Sequence, residues 1–89
     1  MPWTVTLAPP ARKALKAIRD QRLRGRIIRA LQGLEADPRP SGVKRLAPGG
    51  GLLRIRVGDW RILYEVRERE VVVMVVRIGP RWEVYERLG

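Results

Sequence analysis

The spacing of apolar residues changes period along this chain, and each change marks an element. Near the start, Trp3, Val5 and Leu7 alternate with Thr4 and Thr6, the two-residue period of a strand with one apolar face. Pro9-Pro10 ends that strand and suits the first turn of a helix, where the backbone N–H has no partner anyway. From Ala11 to Gln21, Ala14, Leu15 and Ile18 recur at helical spacing. From about Arg22 to Ala36, Leu23, Ile27, Leu31 and Leu34 make one face, and Arg22, Arg26 and Arg29 another. The pair predicts an antiparallel helix hairpin lying on one face of a sheet, with Gly33 weakening its last turn. Asp37 to Gly51 holds Pro38, Pro40, Pro48 and Gly49-Gly50-Gly51 and predicts a loop, pinned to the core by Leu46.

From Leu52 the period is two again. Leu52–Val57, Trp60–Arg67 and Val71–Ile78 predict three consecutive antiparallel strands, joined by Gly58-Asp59 as a tight turn and by Arg67–Glu70. The last is apolar at every position but Arg77, so it should lie in the middle of the sheet, buried on both faces. The predicted architecture is α+β, in the order β-α-α-β-β-β, with the helix hairpin on a mainly antiparallel sheet and residues 1–89 forming one domain. No internal repeat or low-complexity segment interrupts it.

Parity assigns the faces. Leu53, Ile55 and Val57 share one side of their strand, and Trp60, Ile62, Tyr64 and Val66 one side of the next. These apolar sets must meet in one core, because a slipped register would bury arginines. Arg54, Arg56 and Arg61 then converge on the opposite face, where guanidiniums repel one another unless an anion joins them. For Lys44 and Arg45 two readings stand: the rim of this patch, or a solvated basic turn. For Tyr85, which follows Gly79-Pro80-Arg81 and Trp82, two also stand. It is a core aromatic with its hydroxyl at the rim, or a phenol whose phenolate the guanidiniums favour, able to act as a general base.

Composition narrows the chemistry. There is no cysteine and no histidine, so thiolate sites, disulfides, the usual zinc ligand and the usual acid–base catalyst are missing from the sequence, and no cofactor is expected. No apolar run approaches the roughly 20 residues of a membrane span, and the first residues lack the order of a signal peptide; a cytoplasmic setting is expected. The net charge is +10, with 19 basic residues against 9 acidic, and all but Lys13, Lys16 and Lys44 of the basic ones are arginine. That balance calls for a polyanionic partner, and arginine's planar fork suits phosphate.

The sequence order of a strand, two helices and a Pro/Gly loop is followed by R-x-R at Arg54 and Arg56, then by G-D-W-R-I-L-Y-E-V from Gly58 to Val66. An apolar strand comes next, and then I-G-x-R-x-x-V-Y from Ile78 to Tyr85. Taken together this resembles the RelE/ParE superfamily of type II toxins, and its RelE branch most. The resemblance implies a ribosome-dependent mRNA endoribonuclease that inhibits translation and acts on mRNA in the ribosomal A site. It also implies a cognate acidic, RelB-like antitoxin that wraps the domain, with higher toxin–antitoxin oligomers and no membrane partner.

Carried over by position, the resemblance makes Arg54, Arg56, Arg61, Arg81 and Tyr85 the catalytic set; Arg54, Arg56 and Arg61, with Lys44 and Arg45 read as the rim of their patch, are expected to bind RNA. Tyr85 would be the base on the 2′-hydroxyl, and Arg61 and Arg81 would hold the non-bridging oxygens. Arg54 and Arg56 would align the backbone without a metal. The chain departs from the family in having arginine where some members have lysine at positions 54 and 56, and Pro80 where many have histidine or lysine. Arginine does not release its proton, so the general acid stays unassigned. Two readings from other classes remain beside this one: a ParE-like inhibitor of DNA gyrase, and a non-catalytic RNA- or ribosome-binding module.

Overall fold

A computed structural model describes residues 2–46 and 51–80. The first strand, β1 (Thr4–Leu7), leads into α1 (Pro9–Ala17), which opens on its two prolines. The helix stops short of the expected Gln21 because Asp20 starts the next one. Its Oδ1 accepts from the backbone N–H of Arg22 at 3.0 Å and of Leu23 at 3.2 Å, capping α2 (Gln21–Ala36). Ile18 takes extended backbone angles and buries its side chain in the core.

The sheet has five strands where four were expected. The remaining four are β2 (Lys44–Arg45), β3 (Leu52–Val57), β4 (Trp60–Arg67) and β5 (Val72–Pro80), and the order across the sheet is β1-β5-β4-β3-β2. The three long strands fall within two residues of their predicted limits. β5 is an interior strand, antiparallel to β4 and parallel to β1. The addition is β2, two residues of the predicted loop paired with β3. Local sequence gives no strand signal there, but the loop is held close enough to pair. The Tyr64 hydroxyl donates to the Pro38 carbonyl at 2.7 Å, Gly42 turns the chain at φ +89°, and Val43 packs against the core. Leu46, expected to do that, is only half-buried and lies outside the core cluster.

Both helices cover one face. Ile27, Leu31 and Leu34 of α2 and Ala11 of α1 meet Leu53, Ile55, Val57, Ile62, Tyr64, Val73, Val75 and Ile78 of the sheet. The register pairs these inward residues with one another, as parity required: Leu53 with Tyr64, Ile55 with Ile62, Val66 with Val73. One irregularity decides the other face. Leu63 pairs with Arg77 but Tyr64 pairs with Val75, so Val76 is an extra residue in β5. Such a bulge reverses the alternation. Without it Arg77 would point inward with Val73 and Val75; with it Arg77 points outward and Ile78 turns to the core.

Candidate functional site

The face away from the helices carries two rows of side chains running across the strands. One row is Lys44, Arg54, Leu63 and Arg77, from β2 through β5; the next is Arg56, Arg61 and Gly79. Directly opposed residues have Cβ atoms about 4.5–5.5 Å apart, so five cations share a small area. Leu63 is fully buried yet separate from the main core, with Arg54 and Arg77 on either side. It gives the patch an apolar floor on which arginine stems can lie.

The tight turn between β3 and β4 fixes two of the guanidiniums. Gly58 has φ +61°, the conformation expected of a glycine opening such a turn. Its carbonyl accepts from Arg56 Nε at 3.0 Å and from Arg61 Nη1 at 3.3 Å, and the Trp60 carbonyl accepts from Arg61 Nη1 at 3.1 Å. From the helix side, α2 brings Arg26 to the same turn: a Cβ built on Gly58 would lie 3.3 Å from its Nη1. With Arg22, Arg26 lines a groove that reaches Arg56 and the half-buried Trp60.

Arg61 is the most buried charged residue among those described, at 7% exposure. Its Nε and that of Arg77 are both buried without a hydrogen-bond partner. Among the described residues the ion pairs are Arg39–Glu68 and Arg67–Glu65, each at 2.7 Å, and Arg67–Glu70 at 3.8 Å. All lie toward the β4–β5 turn, and none engages Arg56, Arg61 or Arg77. An unmatched positive charge in a partly dry setting attracts an anion strongly.

The structure thus brings together Arg54, Arg56 and Arg61, and adds Lys44 as the cross-strand neighbour of Arg54. Arg45 does not join them. It pairs with Leu53 and so belongs to the opposite side of its strand, because adjacent residues of a strand cannot share a face. Arg81 and Tyr85 lie outside the described residues. Arg77 was missed: a lone charge in an apolar strand was its signal, but simple alternation assigns it to the core side. Tyr64 is the phenol within the described region, and its surroundings are structural. Burial pushes its pKa up to about 12, with Arg39 pulling down and Asp37 pushing up in smaller measure.

Comparison with known proteins agrees with this architecture. The family of ParE toxins of type II toxin–antitoxin systems (parDE) matches residues 5–85. Toxin RelG of Mycobacterium tuberculosis is 26% identical over 87 residues, which is 98% of this chain and 100% of the relative. The archaeal RelE–RelB complex from Pyrococcus horikoshii contains a chain 28% identical to this one; the match covers 91% of this chain and 97% of that one, at a TM-score of 0.79. The toxin–antitoxin complex RelBE2 of Mycobacterium tuberculosis matches at 25% identity, over 91% of this chain and 100% of the other, with a TM-score of 0.76. The family match spans nearly the whole chain, and the helix hairpin on a mixed five-stranded sheet is that of RelE-like toxins; this protein belongs to the RelE/ParE superfamily of type II toxin–antitoxin toxins.

Proposed function

We propose that this toxin is an endoribonuclease that cuts messenger RNA held in the ribosomal A site and so stops translation in the cytoplasm. The observation that carries the reading is Arg61: a 7%-exposed guanidinium facing Arg56 across β3 and β4, held by turn carbonyls and matched by no carboxylate among the described residues. Fixed charge of this kind is what an in-line attack on a phosphodiester needs, since negative charge grows on the non-bridging oxygens. Tyr85, as phenolate, takes the proton of the 2′-hydroxyl. The 2′-oxygen then bonds to phosphorus, the bond to the 5′-oxygen breaks, and that oxygen gains a proton by way of water. The products are a 2′,3′-cyclic phosphate and a 5′-hydroxyl. Arg61 and Arg81 hold the phosphorane oxygens, while Arg54 and Arg56 keep the backbone in line.

Acid–base groups this weak leave much of the rate to alignment, which a ribosome holding its message supplies. Free RNA is therefore a poor substrate, and DNA, lacking the 2′-hydroxyl, is not cut. The partner is a cognate acidic antitoxin. Neighbours of this fold are solved as RelE–RelB complexes, and a segment that folds on binding can cover a broad basic face.

The test is to map cut sites on a message translated in a purified system. Wild type should leave cyclic-phosphate ends that depend on the ribosome, and Tyr85→Phe and Arg61→Ala should each lower cutting by about a hundredfold or more, the loss expected for a group acting in the transition state. If DNA supercoiling falls while transcripts stay whole, the nuclease reading gives way to gyrase inhibition.

A further inference from the structure

Arg77 is the charge that simple alternation would place against the core and that the Val76 bulge turns to the arginine face. There it stands directly beside Leu63, and Arg61 occupies the diagonal position on β4. Across from Arg61 is Gly79, which places no side chain between the two guanidiniums on that strand. The Nε atoms of Arg61 and Arg77 are the two buried side-chain donors that find no acceptor among the described residues. An arginine that merely extended into solvent would have its Nε hydrated, and one serving the fold would be paired; Arg77 is neither. Bulges recur where a strand must re-aim a side chain for binding.

We propose that Arg77 and Arg61 form a clamp for a single phosphodiester of single-stranded nucleic acid, with Arg77 the positioning member. The two guanidiniums stand at diagonal positions on adjacent strands, and their outer Nη groups meet one phosphate between them, while each Nε lies beneath the surface with its charge unmatched. Leu63 beneath them excludes water and strengthens the contact. This rests on the reading of the face as an RNA site and adds to it a residue that reading does not use.

The test uses the full chain and a short single-stranded deoxyoligonucleotide, which lacks the 2′-hydroxyl and stays intact. Affinity is measured by fluorescence anisotropy over a range of salt for wild type, Arg77→Met and Arg77→Lys. Methionine keeps an apolar stem beside Leu63, and lysine keeps the charge without the fork. Loss of one phosphate contact should make the slope of log affinity against log salt shallower by about 0.7 in Arg77→Met. Arg77→Lys should keep the wild-type slope but bind several-fold more weakly, and Arg77→Met should melt no lower than wild type, since the group removed was unpaired.

An unchanged slope in Arg77→Met, or no binding by wild type, overturns the clamp. So does a weaker affinity that comes with a lower melting temperature, which would assign Arg77 to the fold. If Arg77→Met loses affinity for polyglutamate but not for the oligonucleotide, the site serves protein carboxylates and the phosphate assignment falls. Message cleavage is scored separately. A lower slope with no cutting by wild type keeps the clamp and defeats the nuclease reading, whereas cutting with an unchanged slope does the reverse.

Discussion

Gly58 and Tyr64 show how much single residues decide here. The Gly58 carbonyl receives two guanidiniums, so the turn that joins β3 to β4 also sets where Arg56 and Arg61 point. Tyr64 is fully buried and ties the loop after α2 to the sheet through its bond to the Pro38 carbonyl. Its pKa is raised from 10.0 to about 12, chiefly by burial. The folded state therefore holds the phenolic proton more tightly than the unfolded chain does. Stability from this group is complete below about pH 10 and is lost as pH rises toward 12, a fall of roughly 2 kcal/mol. Urea unfolding of wild type and Tyr64→Phe, at pH 7 and again near pH 11.5, checks this. The variant should be about 1 kcal/mol less stable at pH 7, with the Pro38 carbonyl left unsatisfied, and the gap should close or reverse at the higher pH.

At the scale of elements, the β3–β4 hairpin was legible down to its end residues. Its alternation from Leu53 onward is broken only at Leu63, and Gly58 is a turn signal with a steric cause. The end of α1 was less legible, because residues 18–20 continue the helical spacing while Asp20 uses its carboxylate to begin α2. That carboxylate also offsets the positive end of the helix, whose first turn has no acidic residue. Asp20→Ala should cost about 1 kcal/mol, read from thermal or denaturant unfolding, and Asp20→Asn should recover most of it. Arg77, the lone charge of its strand, is the only trace of the bulge in the sequence, and β2 left none. A run of valines offers nothing to say which of them is extra, and Lys44-Arg45 is a strand only because β3 lies within hydrogen-bonding reach.

Across the whole molecule the charge is sorted along the strands. Glu65, Glu68 and Glu70 gather toward the β4–β5 turn and are engaged by Arg39 and Arg67, while Arg56 and Arg61 meet at the β3–β4 turn beside Arg26 of α2, where Asp59 alone brings a negative charge into the turn. From Arg61 to Glu68 the chain runs roughly 23 Å at strand rise, more than two screening lengths at physiological salt. A polyanion is thus drawn to one end of the molecule. Arg39→Gln should leave oligonucleotide affinity and its salt dependence unchanged and shift stability by no more than about 1 kcal/mol, since the Arg39–Glu68 pair is exposed. Arg56→Gln, measured beside it, should weaken binding severalfold and flatten the salt slope by about 0.7.

The sequence by itself determined the strands, the helix faces and the convergence of Arg54, Arg56 and Arg61, because a two-residue period and a demand for one shared core admit a single assignment of faces. The family could be read from the same stretch, since its motifs lie on those strands. Only the tertiary structure decided that Lys44 stands with the patch and Arg45 across from it, that Arg61 is nearly enclosed, and that Arg77 turns outward. Each of these depends on register or on a bulge, which arise from how neighbouring strands meet and not from the residues of any one strand.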